Sequence, residues 1–401
     1  MAASTRDRTG DPTAGDSPTG DSAASAPGDA ATGDSAASAP GDAATSDPSS
    51  GTVKAAVRAM SGYTLVQPDC PVKLNQNECP FDVPEDLKRE IVDEALAYNW
   101  GRYPGFVPRE TRTAIGKRHG LGPEHILIGN GSNELIQALF QATVVQGGQV
   151  VLPAPTFTLY ALMGRVAGAE IRTVYLDRDL TFDVERLVEE SAHPGVRLVV
   201  LCSPNNPTGS MISMEDTARI AEATRGLAVV DEAYFEFGGV SCIELLGRHP
   251  NLVITRTFSK ALGAAGLRLG YLVADPSLAR EIEKVKLPYN VNAISLIAAK
   301  KLIGQEALIE ERAALIRSER RRVFEGLRDL PGIRPFPSHA NFVLFESERP
   351  VSEIFQGLIE RGVLIRDVSR YPLLERCMRV TIGLPEENDA FLAALKEVLA
   401  A

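Results

Sequence analysis

The sequence predicts an α/β protein: a large unit with a mostly parallel sheet between helices, followed by a smaller α/β unit. Two observations predict it. Short apolar runs rich in β-branched residues recur through the middle of the chain, separated by helical spacing or by loops. These runs lack polar alternation, which marks strands covered on both faces. A third observation separates the units: a long charged segment intervenes, and beyond it a second, smaller set of strand-like runs with flanking helices follows.

Taken in order, "EDLKREIVDEALAYN" (85–99) has helical spacing, with Leu87, Ile91 and Leu96 toward one side. "HILIG" (125–129) reads as a strand and "SNELIQALFQATVV" (132–145) as a helix. "QVVLP" (149–153) is a strand, a helix follows near 157–167, and "EIRTVYL" (170–176) is again a strand. "RLVVLC" (197–202), "LAVV" (227–230), "NLVIT" (251–255) and "GYLVA" (270–274) are the buried runs. A long charged helix covers roughly 305–330, and "NFVLFES", "VLIR" and "MRVTIG" follow as strands of the smaller unit. The segment near 51–100 is expected to pack with that unit.

The first fifty residues stand apart. "GDSAASAPGDAAT" occurs at 20–32 and again at 33–45. With eight Asp, two Arg and almost no large apolar side chains, this acidic repeat tail cannot bury enough surface to offset its ordering entropy, so disorder is expected. It has no apolar core of a signal peptide and is too acidic for a transit peptide. The tail carries −6 of the chain's net −10, leaving −4 on the rest. That balance argues against a general nucleic-acid or membrane binder. No apolar run approaches a membrane span. Five cysteines, none spaced as C-x-x-C, suggest neither a disulfide framework nor a zinc site; reduced thiols in a cytoplasmic protein are expected.

In an open α/β sheet, ligands gather at the carboxyl ends of the strands. After "HILIG" comes "NGSNE" (130–134); after "RLVVLC" comes "SPNNPTG" (203–209); after "LAVV" comes "DEAY" (231–234); after "NLVIT" comes "RTFSK", ending in Lys260. Singly, each has a plain reading: a glycine-rich helix start, a Pro-Gly turn, a helix cap, a surface ammonium. Together they supply an amine, a carboxylate, hydrogen-bond donors and an anion cradle closing on Arg268. That set suits pyridoxal 5′-phosphate, whose aldehyde needs an amine, whose ring nitrogen needs a carboxylate, and whose phosphate needs helix-start amides and a guanidinium.

The motifs "SPNNPTG", "VVDEAYFEF" and "TRTFSKALGAAGLRLGY" make the chain resemble fold-type I pyridoxal-phosphate enzymes of the aspartate aminotransferase superfamily, and within it the histidinol-phosphate aminotransferase family. The resemblance runs from about 53 to 400. It implies that Lys260 carries the cofactor, that Asp231 meets the ring nitrogen, and that Asn206 and Tyr234 meet the phenolic oxygen. Ser259 and Arg268 would hold the phosphate with amides of Gly131, Ser132 and Asn133. Tyr160 would stack on the ring. Tyr103, in "GRYPG", would reach the phosphate site of a neighbouring subunit, which implies a homodimer.

For substrate, the resemblance points to Arg366 and Arg379, with Tyr63 and Asn206. The substrates implied are histidinol phosphate and 2-oxoglutarate, and the products imidazole-acetol phosphate and glutamate. Where the family has "NENP", this chain has Cys79 at the third place of "NECP", a change in the pocket wall. The chain would divide into the tail (1–50), an N-terminal arm with part of the small domain (51–100), a large cofactor-binding domain (101–304) and a small C-terminal domain (305–401). An aromatic or broad-range aminotransferase and a threonine-phosphate decarboxylase remain alternatives on the same framework. A regulatory protein would need a DNA-binding module, and a nicotinamide dehydrogenase a G-x-G-x-x-G after its first strand; neither pattern is present.

Overall fold

Apolar runs set the strands, and the length of each connection sets their direction. The structure, a computed structural model, describes residues 51–60 and 68–401. The expected disorder of residues 1–50 and the substrate role of Tyr63 lie outside the described residues. In chain order the strands are β1 (Val72–Lys73), β2 (Ile126–Asn130), β3 (Gln149–Ala154), β4 (Glu170–Tyr175), β5 (Val196–Cys202), β6 (Leu227–Asp231) and β7 (Leu252–Thr257). They continue with β8 (Leu269–Ala274), β9 (Ile333–Pro335), β10 (Phe342–Ser347), β11 (Val363–Leu364), β12 (Arg366–Asp367) and β13 (Cys377–Thr381).

The larger sheet has the order β2-β8-β7-β6-β5-β3-β4. From β7 to β4 every pairing is parallel. Strand β8 runs antiparallel to both neighbours. A parallel neighbour needs a crossover, usually a helix. The short loop between Thr257 and Leu269 holds only a single 3-10 turn, so "GYLVA" returns beside β7 in the opposite direction. Every residue of β7 and β8 is buried, the apolar ones as expected for covered strands and Arg256 with them. Strands β2, β3, β5, β6 and β7 all end at one edge, where β8 begins, and the motifs therefore meet.

The smaller sheet, β12-β13-β10-β9, is antiparallel throughout. "VLIR" is divided between two sheets: β11 pairs parallel with β1, whereas β12 pairs with β13. Thus the chain before residue 85 touches the C-terminal region through β1. The helix Glu85–Ala97 instead lies against the helix Ala293–Leu302, tied by Lys300 to Glu94 at 2.8 Å. Its buried stripe is Leu87, Ile91 and Ala95, spaced by four. Leu96, expected inside, is 69% exposed because it lies one residue, about 100°, around from that stripe. The described residues form one compact unit, and Ile254, Phe258, Phe342 and Phe345 of the two regions share one buried cluster.

Candidate active site

The strand ends enclose a cavity of about 210 Å³ lined by both sheets. Lys260 follows β7 by three residues and is half-buried. Its Nζ donates to the carbonyls of Gln76 at 3.0 Å and Asn77 at 2.9 Å. Burial, reinforced by the charges of Arg379 and Arg268 and opposed by Glu78 and Asp231, pushes the ammonium down to about 7. A neutral amine is therefore accessible near neutral pH.

Asp231 closes β6 and is 4% exposed. Its Oδ2 accepts from the Tyr160 hydroxyl at 2.6 Å, whereas its Oδ1 is buried with no hydrogen-bond partner. Burial raises its pKa, against the Tyr160 hydrogen bond and the nearby Thr255 hydroxyl and Ala233 N–H, which lower it. Tyr160 is fully buried and meets Phe157 edge-on, with centroids 5.5 Å apart. Tyr234, also buried, accepts from Asn77 Nδ2 at 3.1 Å, and burial raises its pKa strongly. Its ring centroid lies 5.6 Å from Lys260 Nζ.

An anion cradle sits beside these groups. The helix Ser132–Thr143 begins at Gly131, whose φ of 81° is in the region that favours glycine, and no side chain caps it. A Cβ on Gly131 would stand 2.7 Å from Arg268 Nη2, and one on Gly270 would stand 2.2 Å from the Ser132 nitrogen. These two glycines let the guanidinium and the helix start approach. Arg268 Nη1 also reaches Ser259 Oγ at 3.4 Å, and Thr257 Oγ1 donates to that oxygen at 3.0 Å. Helix-start amides, hydroxyls and a guanidinium converge as phosphate binding requires.

Two arginines close the other side. Arg379, on β13, donates from Nη1 to Asn206 Oδ1 at 2.5 Å and from Nη2 to the Asn75 carbonyl at 2.8 Å. Arg366, on β12, is its direct register partner and also lines the cavity.

The structure thus brings together Lys260, Asp231, Tyr234, Asn206, Ser132, Asn133, Ser259, Arg268, Arg366, Arg379 and Tyr160 in one cavity, with Gly131 at its rim. It does not bring Tyr103, which is 78% exposed and stacks on Tyr289 at 4.6 Å beside a separate cavity. Cys79 does not line the site; its Sγ faces Gly263 behind the Lys260 loop. Sequence reasoning missed Asn77, Phe157 and Tyr371, all of which line the cavity. Phe157 in "PTF" stood three residues from the tyrosine singled out, and only burial separates the two.

The buried, unpaired Asp231 Oδ1 fits a protonated ring nitrogen, and the glycine-cleared cradle fits a phosphate. Fold and site together define a fold-type I pyridoxal-phosphate-dependent transferase. The chain belongs to the aminotransferase class I and II family, whose pattern matches residues 70–395, and its cofactor is pyridoxal 5′-phosphate. It is 39% identical to histidinol-phosphate aminotransferase of Chlorobaculum tepidum over 82% of this chain and 95% of that one. It is 38% identical to the protein of the same name from Prosthecochloris aestuarii over 86% of this chain and 97% of that one. The crystal structure of histidinol-phosphate aminotransferase from Sinorhizobium meliloti in complex with pyridoxal-5′-phosphate matches with a TM-score of 0.78 at 27% identity, covering 86% of this chain and 97% of that one. Among the described residues no helix is long and apolar enough to cross a membrane, and no three or more His, Cys, Asp or Glu side chains gather as a metal site would need.

Proposed function

We propose that the protein transfers the amino group of L-histidinol phosphate to 2-oxoglutarate, giving imidazole-acetol phosphate and glutamate, a step of histidine biosynthesis. The observation that carries this reading is the arginine pair. Arg366 and Arg379 are register partners on adjacent strands, and both line the cavity that holds Lys260. One pocket must accept a phosphate dianion from one substrate and a dicarboxylate from the other. Guanidinium groups serve both through charge-assisted hydrogen bonds. The similarity to the histidinol-phosphate aminotransferases supports the same reading.

In this reading Lys260 holds the cofactor's aldehyde carbon and Asp231 Oδ1 its ring nitrogen. Tyr234 and Asn206 meet its phenolic oxygen; Gly131, Ser132, Asn133, Ser259 and Arg268 hold its phosphate. Tyr160 is fully buried beneath Asp231 and positions that carboxylate, so we assign the ring-covering role to Phe157, which is only partly buried. When bound, the cofactor withdraws electrons from the substrate's Cα–H bond and makes that proton acidic. Lys260 Nζ, neutral in part near pH 7, then takes the proton. Arg379 is oriented beforehand by Asn206 and Asn75, and a substrate anion meets it already in place.

The domain division at residues 50, 100 and 304 belongs to the same reading, as do a homodimer and a cytoplasmic location. The dimer is supported by Trp100, Tyr103 and Phe106, 64–78% exposed and gathered around Tyr289, and would bring Tyr103 to a neighbour's phosphate site. The location is supported by five unpaired cysteines.

Stopped-flow measurement of the donor half-reaction with histidinol phosphate, threonine phosphate and phenylalanine tests the proposal. Histidinol phosphate should have the largest kcat/KM. Arg366→Ala should slow its half-reaction at least ~10-fold more than that of phenylalanine, about 1.4 kcal/mol of selective loss. A large margin for phenylalanine in the unmutated enzyme identifies a broad-range aminotransferase. Carbon dioxide released from threonine phosphate identifies a decarboxylase.

A further inference from the structure

Asn77 occupies an unusual place. It is 1% exposed, and its φ is 54°. That left-handed conformation is uncommon for a residue with a side chain, and asparagine tolerates it better than most. The conformation lets the successive carbonyls of Gln76 and Asn77 both accept from Lys260 Nζ, at 3.0 and 2.9 Å, across 184 and 183 residues of chain. Asn341 Nδ2 donates to the Asn77 carbonyl at 3.1 Å and to the Glu78 carbonyl at 3.3 Å, holding the turn in place.

The side chain makes a second, separate link. The Asn77 backbone N–H donates to Thr381 Oγ1 at 2.9 Å, and the Thr381 hydroxyl donates onward to Asn77 Oδ1 at 3.1 Å. A hydroxyl has one proton, and here Oδ1 receives it. The other end of the amide is therefore Nδ2, which can only donate, and it points at the Tyr234 oxygen at 3.1 Å. The Tyr234 oxygen must accept that bond, and its own proton is left to point elsewhere.

We propose that Asn77 is a positioning residue for the reaction: its backbone builds a two-carbonyl berth for the free amine of Lys260, and its side chain, oriented by Thr381, commits Tyr234 to donating its proton into the cavity. The inference rests on the assignment of Lys260 and Tyr234 to the cofactor. The berth holds Nζ whenever it is not attached, close to where it must move a proton. Two accepted hydrogen bonds favour the charged amine and oppose burial, which favours the neutral one. The other charges that face Nζ are Arg379 and Arg268, which disfavour its proton, and Glu78 and Asp231, which favour it. A chain with Lys260 equally buried and no berth would have a still more acidic ammonium.

Three variants separate backbone from side chain. Asn77→Gly keeps the left-handed turn and loses the amide; Asn77→Ala loses both; Thr381→Val keeps the amide and loses the hydroxyl that orients it and accepts the Asn77 N–H. The first measurement uses the cofactor-free protein: the pH dependence of Lys260 acetylation by acetic anhydride, read by peptide mass spectrometry. The midpoint should stay near 7 in Asn77→Gly and fall by about one unit in Asn77→Ala, the loss of hydrogen bonds to the charged form. An unchanged midpoint in a folded Asn77→Ala overturns the berth, and so does an equal fall in Asn77→Gly. The second measurement titrates the visible absorption of the cofactor-loaded protein. Asn77→Gly and Thr381→Val should each raise the midpoint of that band, because an undirected Tyr234 proton stabilises the phenolic oxygen less. In a Tyr234→Phe background neither should have further effect; a shift that persists there overturns the tyrosine link. Borohydride reduction and peptide mapping of the unmutated protein keep the two claims apart, since label on a lysine other than Lys260 removes the functional reading itself.

Discussion

Asp231 and Glu232 are neighbours in sequence, both acidic and both buried, and the molecule treats them in opposite ways. Glu232 is fully buried, and both its oxygens are satisfied. Oε2 accepts from Arg256 Nε at 2.9 Å, Arg256 Nη2 at 2.6 Å and Ser241 Oγ at 3.1 Å; Oε1 accepts from the Cys242 N–H at 2.6 Å. Arg256 is itself buried and lies over the Phe235 ring at 3.9 Å. Asp231, facing the cavity, has one partner on Oδ2 and none on Oδ1. Successive residues of an extended chain point to opposite faces, so one face received a closed ion pair and the other an open acceptor. A buried charge that serves structure is saturated. One that serves a ligand is left short of partners, at a cost in stability that the ligand later offsets.

The largest effect should come from the amine with which Asp231 works. Lys260→Ala is expected to abolish turnover while keeping the fold, since in the proposed function it removes both the attachment point and the base. Far-ultraviolet circular dichroism beside a turnover assay checks it; measurable turnover would assign the chemistry to another amine.

Glu232→Ala tests the saturated partner. It leaves Arg256 charged and buried without its carboxylate, a loss of about 3–5 kcal/mol. Urea unfolding should register that loss, while kcat per folded molecule changes little. If kcat collapses and stability holds, the contrast with Asp231 is false.

Asp231→Asn should do the reverse. Turnover should fall at least ~100-fold, about 3 kcal/mol of transition-state stabilisation, because in the proposed role of Asp231 an amide cannot hold the ring proton. The cofactor-free variant should be more stable than the parent at pH 7. The sign follows from burial: the folded pKa is raised, so ionising the carboxyl as pH climbs through the usual carboxylate range costs folded-state stability, and asparagine escapes that cost. Near-normal rates would make Asp231 a structural cap.

The smallest effect is a pH-dependent one. Lys260 has a folded pKa of about 7, well below the ordinary lysine value. Between the two values the unfolded chain binds more protons, so this group contributes a stability that rises with pH. Cofactor-free Lys260→Met should therefore be more stable than the parent below pH 7, with the gap closing toward pH 10. A gap that is constant over that range would mean that the lysine titrates normally.

Much of the site was legible because it is local. Each of "NGSNE", "SPNNPTG", "DEAY" and "RTFSK" follows directly on a strand, and parallel strands end at one edge. Reading the order of the strands was enough to bring Ser132, Asn206, Asp231 and Lys260 together. Inside elements the same reasoning weakened: a one-residue error in helix phase exchanged Leu96 for Ala95, and "GYLVA" looked like any other buried run although its short connection turned it antiparallel. Tyr160 and Phe157 differ by three positions on one turn, and no periodicity separates the ring under Asp231 from the ring beside the cavity.

The sequence by itself determined the α/β class, the run of strands, the charge types at their ends and the kind of cofactor those charges suit. These follow from apolar periodicity and from chemistry held within a few residues. The tertiary structure alone decided which of two adjacent carboxylates stays open, that Arg366 faces Arg379, and that Asn77 turns two carbonyls toward a lysine 183 residues away. Those outcomes depend on which faces are packed against which, and burial and hydrogen-bond direction are properties of the folded surroundings, not of any one segment.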